Sequence, residues 1–298
     1  MKLGIIGLGK MGTAIAQRAV GAGHEVVGFD VTEAAREDSK KSGVQPVSSL
    51  EELAKQCRMF WLMVPAGDPV DQAIETLLPH LQGGDILVDG GNSNFNDTTV
   101  RAKKLAEKNI FFLDCGTSGG LHGKDIGFSL MIGGKKEAYE KLVPLFTAIA
   151  TPNGFAHCGP SGAGHYIKMV HNGIEYGLLQ AYAEGFHLLK DGHYKDLDLE
   201  KISSVWQNGA VVRSWLLELI HEIFKKDQNF KNIVGKIQEG GTGRWTFEEA
   251  EKQNVAVPVI KESLKVRKQS REGQESYATK LIALIRNKFG GHAIEKKE

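Results

Sequence analysis

The chain has 298 residues and a mass of 32.5 kDa, a length that suits about two domains. Hydrophobic residues make up 41% and charged residues 24%, a balance that excludes a mainly disordered chain. Lysine and arginine number 37 against 36 aspartates and glutamates, a net charge of +1, which excludes a surface built for nucleic acid or anionic lipid.

The first half alternates short apolar runs with amphipathic stretches. Strands are expected at Leu3–Ile6, Val26–Phe29, Met59–Val64, Ile86–Val88, Ile110–Leu113, Leu130–Ile132 and Gly154–His157. Helices are expected between them at Gly12–Val20, Ser49–Gln56, Val70–Leu78, Thr98–Glu107 and Lys136–Ile149. That alternation implies an α/β domain, a doubly wound parallel sheet with helices on both faces. From about Ser161 the runs become long and helix-periodic: Gly164–Leu189, Leu199–Phe224, Pro258–Gln269 and Gln274–Lys288. The expected division is therefore an α/β N-terminal domain over residues 1–160 and an all-α C-terminal domain over 161–298. The charged tail Glu295–Glu298 is expected to fray.

No apolar run approaches the ~18 residues of a membrane helix, and Met1-Lys2-Leu3-Gly4-Ile5-Ile6 leads directly into the first strand. Cys57, Cys115 and Cys158 are widely spaced, without CxxC. Neither a disulfide framework nor a metal site is expected, and a reducing cytoplasm is the expected compartment.

Gly7-Leu8-Gly9-Lys10-Met11-Gly12 is a GxGxxG between an expected strand and an expected helix, the Rossmann-like dinucleotide fingerprint. Gly7 permits the tight turn, Gly9 lets a pyrophosphate approach the backbone, and Gly12 lets helix and strand pack closely. Asp30 ends the second strand, where a carboxylate accepts from the adenosine ribose and repels a 2'-phosphate. NAD is favoured over NADP, although Arg36 or Lys40 is placed to reach a 2'-phosphate if the loop folds suitably.

Farther on, Lys168, His171, Asn172 and Glu175 stand at i, i+3, i+4 and i+7, one face of a helix. Ile167, Val170, Ile174 and Leu178 form a second, apolar face, expected to anchor the helix in a core. A solvated Lys–Glu face is the alternative reading. Against it stand the His-Asn pair and Gly173, whose mid-helix cost suggests a close approach. Three glycine-rich turns could line the same site: Asp89-Gly90-Gly91-Asn92-Ser93, Cys115-Gly116-Thr117-Ser118-Gly119-Gly120 and Gly240-Gly241-Thr242-Gly243-Arg244-Trp245. Each alone also reads as a plain loop.

Taken together these motifs resemble the 6-phosphogluconate dehydrogenases, in their short form. The resemblance adds Val64-Pro65-Ala66-Gly67, Ile260-Lys261-Glu262-Ser263 through Arg267, and Arg286-Asn287-Lys288-Phe289-Gly290-Gly291-His292, in family order from end to end. It implies oxidative decarboxylation of 6-phosphogluconate to ribulose 5-phosphate and CO2, a step of the pentose phosphate pathway. It further implies Lys168 as base and then polarising cation, Glu175 as general acid, Asn172 orienting the substrate, and His171 positioning the carboxylate end or the lysine. Val64, Pro65, Ala66 and Asn92 would border the cofactor. Asn92, Ser118, Gly119 and Gly120 would border the substrate's carboxylate side, and Tyr176, Arg267, Arg286 and His292 would hold the phosphate. In the family the C-terminal Arg and His reach a neighbouring subunit's site, so a homodimer or homotetramer is implied. The long form carries a lysine where this chain has Gly240. The alternative is a β-hydroxyacid dehydrogenase acting on a non-phosphorylated 3-hydroxy acid, which shares the fingerprint, the Ser-Gly-Gly turn and the lysine.

Overall fold

In the computed structural model, which describes residues 1–297, the apolar runs of the first half are strands of one sheet. They are β1 (Lys2–Ile6), β2 (Glu25–Phe29), β3 (Gln45–Pro46), β4 (Met59–Leu62), β5 (Ile86–Asp89), β6 (Phe111–Ser118), β7 (Phe128–Gly134) and β8 (Ala150–Gly159), in the order β3-β2-β1-β4-β5-β6-β7-β8. The helices among them are α1 (Lys10–Gly21), α2 (Glu33–Ser39), α3 (Leu50–Gln56), α4 (Asp68–Leu77), α5 (Phe95–Ala106), α6 (Gly123–Ile126) and α7 (Lys136–Ile149). The strand period of two divides the side chains between two cores. Leu3, Ile5, Trp61, Ile86, Val88 and Leu113 pack on one face, and Ile6, Phe60, Leu62, Leu87 and Phe112 on the other. Helices must therefore cover both faces.

The sheet is not wholly parallel, as the strand–helix alternation had implied. β6 and β7 pair antiparallel, while β7 and β8 pair parallel. The Gly119–Gly127 connection is too short for the crossover that parallel neighbours require, usually a dozen residues or more. α2 and β3 carry too few apolar residues to show in the sequence pattern.

The chain forms two compact units, Met1–Met169 and Val170–Glu298. α8 (Ala163–Asp191) is one unbroken helix that begins in the first. The second unit adds α9 (Leu199–Gln207), α10 (Trp215–Phe224), α11 (Thr242–Lys252), α12 (Pro258–Arg271) and α13 (Tyr277–Gly290). Its core joins Leu179 and Phe186 of α8 to Ile220 and Phe224 of α10 and to Leu281 and Ile285 of α13.

Three expectations are corrected here. The run Leu199–Phe224 is two helices, because Gly209 takes φ +106° and Ser214 starts a new helix by accepting from the Leu217 N–H. The turn at Gly240–Trp245 is the start of α11, with Gly241 at φ +78° as its cap. The tail is not frayed at 295–297: the Val234 N–H donates to the Glu295 carbonyl and the Lys297 N–H to that of Asn232, both at 3.0 Å. Glu298 lies outside the described residues.

α8 is also turned opposite to the expectation. Ile174 is 54% exposed and Leu178 45%, whereas Lys168 is 6% exposed. The apolar stripe faces out, and Met169, Tyr176, Leu179, Ala183 and Phe186 are the apolar residues it buries. Gly173 does permit a close approach, but by α11 rather than a ligand. A Cβ there would lie 2.6 Å from the Thr246 Cγ2. Gly173→Ala is expected to destabilise the protein by about 1–3 kcal/mol through overpacking. A melting temperature equal to wild type would contradict that contact.

Candidate functional site

The glycines of the fingerprint divide their work as their surroundings require. Gly7 sits at φ +95°, where a Cβ would lie 2.5 Å from the Met63 carbonyl oxygen, and a Cβ on Gly12 would lie 1.9 Å from that of Gly7. A Cβ on Gly9 would meet nothing within 4 Å, so its backbone faces open space. Gly9 caps α1, whose first turn has no acidic residue and no side-chain cap. Its N–H groups and partial positive charge are therefore available to an anion.

This helix end opens onto a crevice of about 580 Å³ lined by Gly7, Gly9, Lys10, Met11, Gly12, Asp30, Val64, Pro65 and Asn92. The crevice lies beside β1, where the strand order reverses between β2 and β4, the switch point at which open α/β sheets bind ligands. Two expected residues do not line it. The Leu8 side chain is buried in the core, and Ala66 is exposed beyond the rim. Gly90 and Gly91, from a turn expected to border the site, line it, as do Met63 and Val31, which only their position at strand ends could have signalled.

Asp30 is half-buried at the end of β2. One carboxylate oxygen accepts the Leu8 N–H at 2.7 Å and the other the Thr32 N–H at 2.8 Å. The carboxylate thus braces the fingerprint loop and still borders the crevice. Arg36 donates to the Asp30 carbonyl oxygen at 2.6 Å, and Lys40 pairs with Glu37 at 2.7 Å. The residues present fit a dinucleotide: an open glycine, an uncapped helix end and an acid at the second strand.

Asn92 follows β5 with φ +56°. Its Nδ2 donates to the Thr117 carbonyl at 3.2 Å, and its Oδ1 accepts the Thr117 N–H at 2.9 Å. The amide is thereby fastened to the end of β6, next to Ser118, Gly119 and Gly120. Gly119 and Gly120 take φ +127° and +54°, which turns the backbone sharply at that strand end. Lys168 lies against the same strand: a Cβ on Gly116 would be 2.4 Å from the Lys168 Cβ. Gly116 is the space into which the lysine-bearing turn of α8 fits.

In the second unit, His171 Nδ1 lies 3.0 Å from Asn172 Oδ1, and Asn172 Nδ2 donates to Thr242 Oγ1 at 2.9 Å. The glycine-rich turn expected to line the site thus contributes Thr242, a role its sequence did not single out. Arg267 is 1% exposed, and its guanidinium carbon stands 3.3 Å from the centre of the Tyr176 ring. Among the described residues, neither Nη1 nor Nη2 of Arg267 has a hydrogen-bond partner. Burial lowers its pKa from the usual value to about 10, and Arg286 pushes the same way, while Tyr176 and Glu175 oppose. Arg286, 6% exposed, is lowered by burial as well. His292 sits at the exposed rim, and partial desolvation followed by the Arg286 and Arg267 cations lowers it to about 4. Arg267 and Arg286 are thus two buried cations, and the unpartnered nitrogens of Arg267 are donors suited to an anion. No group of three or more His, Cys, Asp or Glu among the described residues could hold a metal. No described helix is long and apolar enough to cross a membrane.

Residues 2–161 match the NAD binding domain of 6-phosphogluconate dehydrogenase, and residues 164–298 match the 6-phosphogluconate dehydrogenase C-terminal domain. The chain is 47% identical to the NAD(+)-dependent, decarboxylating 6-phosphogluconate dehydrogenase of Haloferax volcanii, over 100% of both chains. It is 39% identical to the NADP(+)-dependent, decarboxylating enzyme of Bacillus subtilis, where the match takes in 88% of this chain and 60% of that relative. The Plasmodium falciparum 6-phosphogluconate dehydrogenase, solved apo and with NADP+ or 6-phosphogluconate, superposes with a TM-score of 0.85 at 29% identity, over 92% of this chain and 63% of that one.

Proposed function

Since the chain belongs to the 6-phosphogluconate dehydrogenase family, we propose that it oxidatively decarboxylates 6-phosphogluconate to ribulose 5-phosphate and CO2, with NAD as the preferred acceptor. The observation that carries the substrate is the buried guanidinium of Arg267 with both terminal nitrogens unpartnered. An unpaired charge held away from water is costly, and a phosphate dianion supplies the missing acceptors.

The chemistry assigns work to each group. A bound nicotinamide would supply the acceptor for the hydride that leaves C3. Lys168, starting neutral, takes the proton of the 3-hydroxyl, and C3 becomes a ketone. The resulting ammonium then donates to the ketone oxygen, so that oxygen accepts the electron pair of the C1–C2 bond as CO2 leaves. An enediol across C2 and C3 remains, and Glu175, protonated, delivers a proton to C2, which becomes C1 of ribulose 5-phosphate. Asn172, held by Thr242, orients the substrate hydroxyls, and His171 orients Asn172. Asn92, Ser118, Gly119 and Gly120 meet the carboxylate side, while Tyr176, Arg267, Arg286 and His292 hold the phosphate. The fingerprint residues Gly7 through Gly12, with Asp30, Val64 and Pro65, hold the dinucleotide.

Lys168 and Glu175 are seven residues apart on an unbroken helix. That interval leaves them about 20° apart around its axis, so one support presents both proton carriers. The exposed Ile174 and Leu178 support an assembly, a homodimer or homotetramer. The resemblance implies that a neighbouring tail completes the phosphate pocket. Within one chain the Arg286 and Arg267 cations act on His292 electrostatically, which supports a pocket completed within each chain.

Steady-state kinetics test both substrate and cofactor. 6-Phosphogluconate with NAD is expected to give the highest kcat/KM. Equal turnover of gluconate would favour a non-phosphorylated hydroxy acid instead. Asp30→Ala is expected to raise KM for NAD and narrow the gap to NADP, because the carboxylate both repels a 2'-phosphate and braces the Leu8 N–H. Equal kcat/KM for the two cofactors in the wild type would sink the reading of Asp30.

A further inference from the structure

His165 has no part in the chemistry above, yet it is 1% exposed, and its backbone N–H and both ring nitrogens are engaged. It stands in the first turn of α8, three residues before Lys168. Its backbone N–H donates to the Asp114 carboxylate at 2.9 Å, beside the Gly162 N–H, which donates to the same carboxylate at 2.7 Å. Its Nδ1 lies 2.8 Å from the Thr98 hydroxyl of α5, and its Nε2 lies 3.1 Å from the carbonyl oxygen of Asp89. A carbonyl only accepts, so Nε2 carries the proton and donates.

Asp89 is the last residue of β5, immediately before the turn that carries Asn92. Its fully buried carboxylate accepts the Gly91 N–H at 3.0 Å and the Ser93 hydroxyl at 2.7 Å, with Arg101 Nη1 at 3.8 Å. The turn is closed onto Asp89 at one end and onto Thr117 through Asn92 at the other. One imidazole therefore ties the helix that carries Lys168 to the strand end that carries Asn92. A leucine would fill the same volume without a desolvated ring, so packing alone does not call for histidine. What the ring adds is two directional bonds that set the register between those elements.

We propose that His165 is a positioning residue for the proton- and hydride-transfer step, holding Lys168 at its working distance from Asn92. The proposal rests on the reading of Lys168 as the base. A misplacement of about 1 Å costs on the order of 100-fold in rate. His165→Leu is therefore expected to lower kcat about 10- to 100-fold, with KM for NAD nearly unchanged. The deuterium isotope effect on kcat with 3-deuterated 6-phosphogluconate should rise, because chemistry then limits turnover. His165→Gln, which restores a donor toward the Asp89 carbonyl, is expected to recover much of the loss, and it serves if the leucine variant folds poorly.

A double-mutant cycle with Lys168→Ala separates this proposal from the reading beneath it. If His165 acts through Lys168, the double variant is no slower than Lys168→Ala alone. Losses that multiply, or a His165→Leu protein with wild-type kcat and only a lower melting temperature, would overturn the positioning role. A fully active Lys168→Ala protein would instead overturn the base, and the proposal with it.

Discussion

Lys168→Ala is expected to lose about three orders of magnitude in kcat, the size of a general base's contribution, while binding NAD as the wild type does. The two effects separate because the residues that hold the dinucleotide line a crevice beside β1, and Lys168 is not among them. The lysine is instead buried to 6% exposure against Gly116 of β6. Lys168→Arg sharpens the test. Arginine keeps the positive charge but does not shed its proton at neutral pH. It is expected to be nearly as inactive as alanine, which a purely electrostatic role would not produce. NAD affinity from a fluorescence titration and kcat from NADH absorbance check both halves. A variant with wild-type kcat would remove Lys168 from the mechanism.

Arg267→Met is expected to move two measurements in opposite directions. KM for 6-phosphogluconate should rise about 100- to 10,000-fold, because two charge-assisted hydrogen bonds to the phosphate, each about 1.5–3 kcal/mol, are lost. The melting temperature of the ligand-free protein should rise. The substitution removes a buried cation with two unpartnered nitrogens and replaces it with an apolar chain of similar length. An ordinary structural arginine would show the reverse, an unchanged KM and a lower melting temperature. In the wild type the substrate should raise the melting temperature strongly, and in the variant hardly at all. Mixing Arg286→Ala with Lys168→Ala chains extends the test to the assembly. With each pocket completed by its own chain, no activity returns. Recovery after proven subunit exchange would place the tail in the neighbour's site.

The sequence was most legible where backbone geometry alone dictates residue type. Gly7 and Gly12 are glycine because carbonyl oxygens stand where a Cβ would be, and Gly9 because its place must stay open. The clash of a Gly12 Cβ with the Gly7 carbonyl and the positive φ of Gly7 lie within the motif and travel with it. Patterns that depend on what packs where were less legible. The stripe Ile167, Val170, Ile174 and Leu178 has the period of a buried face, yet it points outward. Periodicity shows that a helix has two faces without showing which one its neighbours cover. Gly173 similarly signalled a close approach but not its source, since Thr246 is far along the chain.

From the sequence by itself came the α/β half followed by the helical half, the dinucleotide turn, and a helix carrying an amine and an acid at heptad spacing. These follow from periods and spacings of a few residues, which no tertiary contact can undo. The tertiary structure alone decided that β7 runs antiparallel to β6 and that Arg267 is buried on the ring of Tyr176 with Nη1 and Nη2 unpartnered among the described residues. It also decided that His165 joins β5, β6 and α5 to the lysine's helix. Each depends on groups distant in sequence meeting in space, and spacing along a chain carries no record of that meeting.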